Sequence, residues 1–511
     1  MQKEIRFLLR FGTVALLALA LIAPAFASGD AEGTDSDDVE LTWMLPDRPI
    51  QPLRPDSTTI DEVYRLTGVR LNLEGVPDSD FNQVATTLFA TDDLPDIIEI
   101  RFAWFKDFYD TGSTIALSDH FDQMPYLAEW VDNDPQIAKF FLDGKLYHFP
   151  KFARYINRMG QVPMIRHDIL EELDLDVPDS FDELTDVLRA MKAAYPESFP
   201  YSARGLNLLE FSYSFGSAYA WGPIEFDHGE GRWIYGPQYP EFRDALAWLN
   251  TLYREGLLDP DYATNTTAQW QEKLGSSQSF FYFDNGSFAI NMNLALAEST
   301  GVPDAFGPIP TMENPYGERR NRFYSPHWYS AGSVVSSDVD NRDKVLEFVD
   351  WLYSDEGTDT TNFGRLGEDY TIENGEYVIS PEIVEARLQD SDPWRSYMSY
   401  MVAGLFGISG AVDERNQFPF MSDSARGMYE FWGSDPYMVE RFEAPPFTPE
   451  ENERLKTLRT QIDTVFEEHI HRFIMGDIPI SRFDDFVRQL KAAGVDELEE
   501  MYNEAEARIQ G

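Results

Sequence analysis

The sequence predicts an α/β protein with two lobes. Three observations predict it. Strand and helix patterns alternate over residues 39–100. A fresh strand–helix–helix unit begins near residue 143. The 511 residues, 43% hydrophobic and 14% aromatic, are enough for more than one core.

The first unit reads in order. Val39–Leu45 alternates as a strand, and Pro46-Asp47-Arg48-Pro49 is a loop at its carboxyl end. Asp56–Thr67 is a helix stopped by Gly68, and Val69–Leu73 is a second strand. Asp80–Ala90 is another helix, followed by a third strand ending near Ile100. This is β-α-β-α-β, a parallel sheet with crossover helices. Asp143-Gly144-Lys145 is a turn, Leu146–Phe149 an extended run, and Pro150 its close. Val162–Ile165 is a further strand. A helix with Ile169, Leu170 and Leu173 on one face follows it, and Pro178 breaks that helix. Ser180 and Glu183 form a capping box, the Glu reaching back to the cap amide. Phe181, Leu184, Leu188 and Met191 lie at helical spacing behind it.

Glu241–Glu255 is a helix with Phe242, Ala245, Leu246, Leu249 and Leu252 inward. Trp270–Leu274 opens another, and Phe280–Phe283 is a strand. Residues 301–332 are irregular. Gly332–Ser336 is a strand, Asp343–Tyr353 a helix, and residues 452–475 a long amphipathic helix. The lobes are expected to interrupt one another, with 39–152 and 332–385 in the N-terminal lobe and 153–331 and 386–511 in the C-terminal lobe.

Several of these stretches resemble the extracellular solute-binding proteins of ABC importers. The likeness is to the family 1 type and its lipoprotein and alginate-oligosaccharide-binding subgroup. The residues that carry it are Asp143–Pro150, Arg166–Leu170, Pro178–Leu184, Leu252–Pro260, Lys344–Tyr370, Phe473–Gly476 and Ser481–Leu490. Leu94–Ile98 and Ala116–Asp119 add to it, so it runs from about residue 40 to the C-terminus. The resemblance implies a periplasmic binding protein-like class II fold, two lobes with interrupted connectivity around a central cleft. It also implies an oligosaccharide or other small solute as ligand and permease membrane subunits as partners. Some relatives carry a calcium insertion after the helix that here ends near Ala194. Only Tyr195-Pro196-Glu197-Ser198 stands there, which argues against the metal.

Composition sets further bounds. Residues 1–27 read as a signal peptide. Lys3, Arg6 and Arg10 precede the apolar Phe11–Phe26, and Ala25-Phe26-Ala27 is a cleavage site. The apolar run falls short of the ~20 residues of a spanning helix. Residues 28–38 are a disordered acidic leader. With no cysteine, there is neither a disulfide framework nor a lipid anchor at the cleavage site. A soluble periplasmic monomer is expected. The formal charge of −48 repels nucleic acid and anionic membranes. It is spread along the chain and reads as a solvated surface suited to high salt.

No phosphate-binding glycine loop, nucleophile elbow or zinc spacing is present. His469 and His471 point in different directions on one helix. Acidic residues number 89, so no single carboxylate pair is informative as a catalytic pair. Neither a catalytic residue nor a cofactor is expected. Flat sugar faces stack on aromatic rings, and hydroxyls need donors and acceptors. The substrate-binding candidates are therefore the aromatics read as loop or element-end residues, Trp104, Trp221, Trp270, Trp328 and Trp394. About half of them are expected to line a cleft. The polar candidates are Asp47, Arg101, Asn285 and Glu368. Asp47 and Arg101 follow predicted strand ends, where open α/β sheets bind ligands. Trp130, Trp248 and Trp351 fall on amphipathic helices and read as core. The favoured reading is capture of an oligosaccharide by hinge closure. Peptide binding remains open within it. A secreted carbohydrate-active hydrolase and a ligand-presenting sensor partner are the alternatives.

Overall fold

The computed structural model describes residues 39–510, except 157–159, 221, 324–326 and 391. The expected signal peptide and leader lie outside the described residues. Among those described, the strands are β1 (Val39–Asp47), β2 (Val69–Pro77), β3 (Ile97–Arg101), β4 (His148–Tyr155), β5 (Gln161–Arg166), β6 (Ile224–Asp227), β7 (Arg232–Tyr235), β8 (Phe281–Asn285), β9 (Phe306–Pro308), β10 (Asn321–Phe323), β11 (Trp328–Val335), β12 (Tyr370–Glu373), β13 (Glu376–Ile379), β14 (Ala411–Asp413) and β15 (Met438–Glu440).

Six strands form one sheet in the order β14-β4-β11-β3-β1-β2. Val39, Leu41, Trp43 and Leu45 alternate inward along β1 and fill its core with Ile97, Val345 and Leu346. β1 pairs in parallel with β2 and β3, as the alternating pattern predicts. The helix Thr58–Thr67 between them is capped by the Ser57 hydroxyl and closed by Gly68 in the left-handed region. Pro150 was expected to end its strand, yet β4 runs on to Tyr155. β11 shifts register between Trp328 and Gly332, opposite Pro150, so the missing amide falls at an irregularity. Gly332 makes this possible. A Cβ there would lie 2.4 Å from the Phe149 carbonyl oxygen.

A second, antiparallel sheet has the order β8-β5-β9. The helices Phe181–Ala194, Pro240–Arg254 and Pro449–Met475 pack over it through Leu184, Leu188, Leu246, Leu249, Leu458 and Ile462. Ser180 caps the first of them as expected. The reciprocal arm differs: Glu183 accepts the Asp179 amide at 2.8 Å, one residue before the cap. A separate core beside β5 gathers Trp270, Met292, Met428 and Trp432.

The chain therefore has two lobes. It leaves the larger sheet after β4 and returns at β11. It then stays longer than the expected departure near residue 385. β14 pairs with β4, Gln51 donates to the Ala403 carbonyl at 3.1 Å, and Thr59 contacts Met401. Residues 386–413 therefore pack with the larger sheet, and so does the turn Glu414–Phe420, whose Phe420 ring lies against Tyr397. A three-residue strand leaves no periodicity to read. At the crossing, Gly160 bridges Phe323. Any Cβ at Gly160 would sit 2.2 Å from the Arg322 carbonyl oxygen, so these two crossing segments touch through backbone.

Candidate functional site

A cavity of about 540 Å³ lies between elements of both lobes. From the larger-sheet side come Phe140, Trp328 and Tyr329 of β11, Trp394 and Arg395 in the helix Pro393–Met401, and Glu414 and Gln417 in the 3-10 turn Glu414–Phe420. From the other side come Asn285 at the end of β8, Ser287, Tyr429, and the crossing residues Phe323, Arg441 and Glu443. A neighbouring cavity of about 740 Å³ shares Ser287, Trp394, Arg395, Gln417 and Tyr429. The two make one trench that turns about Trp394. Both volumes fall in the range of small-molecule sites, ~300–1,000 Å³.

The lining is held in place from behind. The Trp394 indole donates to Asn416 Oδ1 at 3.0 Å. Asn416 is fully buried, and its amide donates to the Asn362 carbonyl at 3.2 Å. The Arg395 guanidinium lies 4.8 Å from the Trp394 ring centre and 5.5 Å from that of Phe406. Asn285 Oδ1 accepts the Ser287 amide at 2.9 Å. Its own amide donates to Asp284, which Arg204 grips with two bonds of 2.9 and 3.0 Å. His327 Nδ1 accepts the Ala153 amide at 2.9 Å, so the ring proton sits on Nε2, 3.2 Å from the Asp134 carboxylate. Burial pushes His327 below the usual histidine range. Burial likewise raises the Glu443 carboxyl and pushes the Tyr429 phenol up to about 12.

The structure scatters the nine residues expected from the sequence. Asn285, Trp328 and Trp394 line the cavity together. Trp221 lies outside the described residues. Trp270, expected at an element end, is instead inside the helix Thr267–Gly275, wholly buried, its indole donating to the Ser202 carbonyl at 3.2 Å. The capping box at Thr266 and Gln269 starts that helix earlier than Trp270 and turns the ring into the core. Trp104 packs on Phe89 and Phe108 and donates to Asn82. Arg101 pairs with Glu99 and lies 3.6 Å from Asp78. Asp47 accepts the Leu53 amide at 2.9 Å. Glu368 is exposed on a turn beside Arg365. None of these last four lines the trench.

Arg395, Glu414, Gln417, Tyr429, Arg441 and Glu443 escaped the sequence reading. Only Arg395, next to a candidate tryptophan, had a signal. Glu414, Gln417, Arg441 and Glu443 stand in short turns or irregular chain without periodicity, and Tyr429 lies in the helix Asp423–Gly433, which the sequence reading did not identify. With Trp328, Trp394 and Asn285 they bring two indoles, amides, guanidiniums and carboxylates around one space. Among the described residues no group of three His, Cys, Asp or Glu could hold a metal ion. No helix among them is long and apolar enough to cross a membrane.

Comparison with known proteins agrees with this architecture. Residues 56–359 match the family model described as bacterial extracellular solute-binding protein. The chain is 23% identical over 506 residues to lipoprotein LipO of Bacillus subtilis, covering 95% of each chain. It is 23% identical to the polygalacturonan/rhamnogalacturonan-binding protein YtcQ of the same organism, covering 94% of this chain and 93% of that one. Among solved structures, alginate-binding protein AlgQ2 without calcium ion superposes with a TM-score of 0.64 at 22% identity, over 92% of this chain and 98% of that one.

Proposed function

Because this chain belongs to the bacterial extracellular solute-binding proteins, we propose that it captures an oligosaccharide in the interlobe trench and delivers it to the permease subunits of an ABC importer. The observation that carries the reading is the pair Trp328 and Trp394 in one cavity with Asn285 and paired donors and acceptors. Indole faces suit the C–H faces of a sugar ring, and the polar groups suit its hydroxyls. The likeness to YtcQ, a polygalacturonan/rhamnogalacturonan-binding protein, supports a carbohydrate over a peptide. Closure of the lobes over the sugar gives the permease a shape to recognise. No bond of the ligand is made or broken. The protein works as a soluble monomer in the periplasm.

The test is a thermal-shift panel of the chain from Val39 onward against trigalacturonate, kestose, maltotriose and a tripeptide. A ligand at a hundred times its Kd adds about 2.7 kcal/mol to the native state. At least one sugar raises the Tm and is recovered unchanged by chromatography. A Tm that only the tripeptide moves, or a sugar recovered in pieces, overturns the reading.

A further inference from the structure

One turn of the larger-sheet lobe grips three consecutive residues of the segment that follows β15. The turn is Pro135–Phe140, whose Ile137 and Phe140 are buried in that lobe's core. Gln136 reaches the segment twice: its amide donates to the Arg441 carbonyl at 3.4 Å, and its Oε1 accepts the Glu443 amide at 2.6 Å. Lys139, only 4% exposed, fills the space beside it. Its ammonium lies 3.4 Å from the centre of the Phe442 ring, donates to the Glu443 carbonyl, and pairs with Glu506 at 3.2 Å. Phe442 stacks on Phe226 at 4.0 Å, and Glu506 accepts the Trp233 indole at 3.1 Å. Lys139 thus reaches from one lobe into the other. The residues flanking Phe442 are Arg441 and Glu443, whose side chains line the cavity.

A buried ion pair is a poor source of stability compared with apolar packing. What the ammonium supplies here is a fixed geometry. We propose that Lys139 is a positioning residue, which holds residues 441–443 so that Arg441 and Glu443 face the trench, and so ties that wall of the cleft to the opposite lobe. The proposal rests on the trench being the binding site.

The charges around Lys139 set its behaviour. Glu506 faces it from the last helix and Glu443 from the segment, where Arg441 acts in turn on Glu443. Asp134, bonded by Tyr329 of β11, opens its own turn, and Glu225 of the β6–β7 hairpin lies 3.5 Å from Arg322. Burial pushes the ammonium down to about 8 against the pull of Glu506. As pH rises through that value the ammonium becomes an amine, and the ion pair and the ring contact go with the charge. In the unfolded chain lysine keeps its proton to about 10.4. Between these values the unfolded state binds more protons, so this residue makes the fold more stable as pH rises. The wall loosens while the fold firms. A lysine that only filled space would not separate the two.

Hydrogen exchange read by mass spectrometry, corrected for the intrinsic rate, tests this at pH 7 and pH 8.5. In the wild type the peptide 438–447 exchanges faster at pH 8.5 by a few-fold, while peptides covering 97–101 and 281–285 exchange no faster or more slowly, as a firmer fold requires. Lys139→Met exchanges there about tenfold faster at both pH values, and Lys139→Arg, which keeps its charge, is slow at both. Equal protection of 438–447 at both pH values in the wild type, or a Lys139→Met peptide as protected as the wild type, overturns the proposal. If the variants do not fold, the wild-type profile decides alone. No ligand enters the measurement, so its failure is separate from a failure of the carbohydrate assignment.

Discussion

The carboxyl edge of β1 and β3 and the wall built from residues 393–443 use the same side chains to opposite ends. At the strand edge the charges are paired internally. Arg48 lies 2.8 Å from Glu99 and 3.3 Å from Asp78, and Arg101 joins the same two carboxylates. Asp47 is occupied by a backbone amide. On the wall, Arg395 sits between two aromatic rings with no ion pair among the described residues. The edge is closed chemistry and the wall is open chemistry. The rule that ligands sit beyond strand ends finds the neighbourhood, since Arg48 lies over Phe406 at 4.4 Å and Arg395 flanks the same ring. It does not find the residues.

The sharpest break between the two regions is Glu99→Gln. Glu99 is 3% exposed and answers Arg48, Arg101 and the buried Lys151. Removing its charge leaves cations buried beside one another, at a cost of about 3 kcal/mol. Urea unfolding followed by circular dichroism reads this as a lower midpoint with an unchanged slope. The affinity of the folded fraction for whichever panel sugar binds stays within about twofold, because Glu99 does not line the trench. An unchanged midpoint would show that the edge is not held by this carboxylate.

Trp328→Ala is the converse. Trp328 is half-buried, lines the cavity and belongs to none of the hydrophobic cores. Losing an aromatic anchor at a binding site costs about 2 kcal/mol, close to thirtyfold in Kd. Isothermal titration with whichever panel sugar binds reads the loss, and the urea midpoint moves little. Full affinity in the variant would remove the wall from the site.

The difference also explains what the sequence could disclose. The parallel strands, the helix stop at Gly68, the cap at Ser180 and the two-lobed class were legible, because alternation and capping are local signals. The late return through β14 and the wall were not. β14 has three residues, and Arg441, Phe442 and Glu443 lie in a stretch without repeat, so their roles come only from what packs against them. Trp270 and Trp394 look alike in sequence, each near a helix start. A capping box at Thr266 puts the first inside a core, whereas a proline and Asp392 put the second at the first turn of a helix facing the trench. Long-range packing decides between them, and a single sequence does not carry it.

Glu368→Ala gives the smallest effect and marks the limit of the wall. Its side chain is 72% exposed and only 3.5 Å from Arg365, a distance worth little in water. Arg365 has other partners in Glu62 and the Thr58 carbonyl, so it stays in place. The substitution changes the urea midpoint by less than about 0.5 kcal/mol and leaves sugar affinity alone. A weakened affinity without a stability change would mean that the turn 364–370 swings over the trench when ligand is bound. The wall would then extend beyond residues 393–443 to a part of the larger-sheet lobe that here faces solvent.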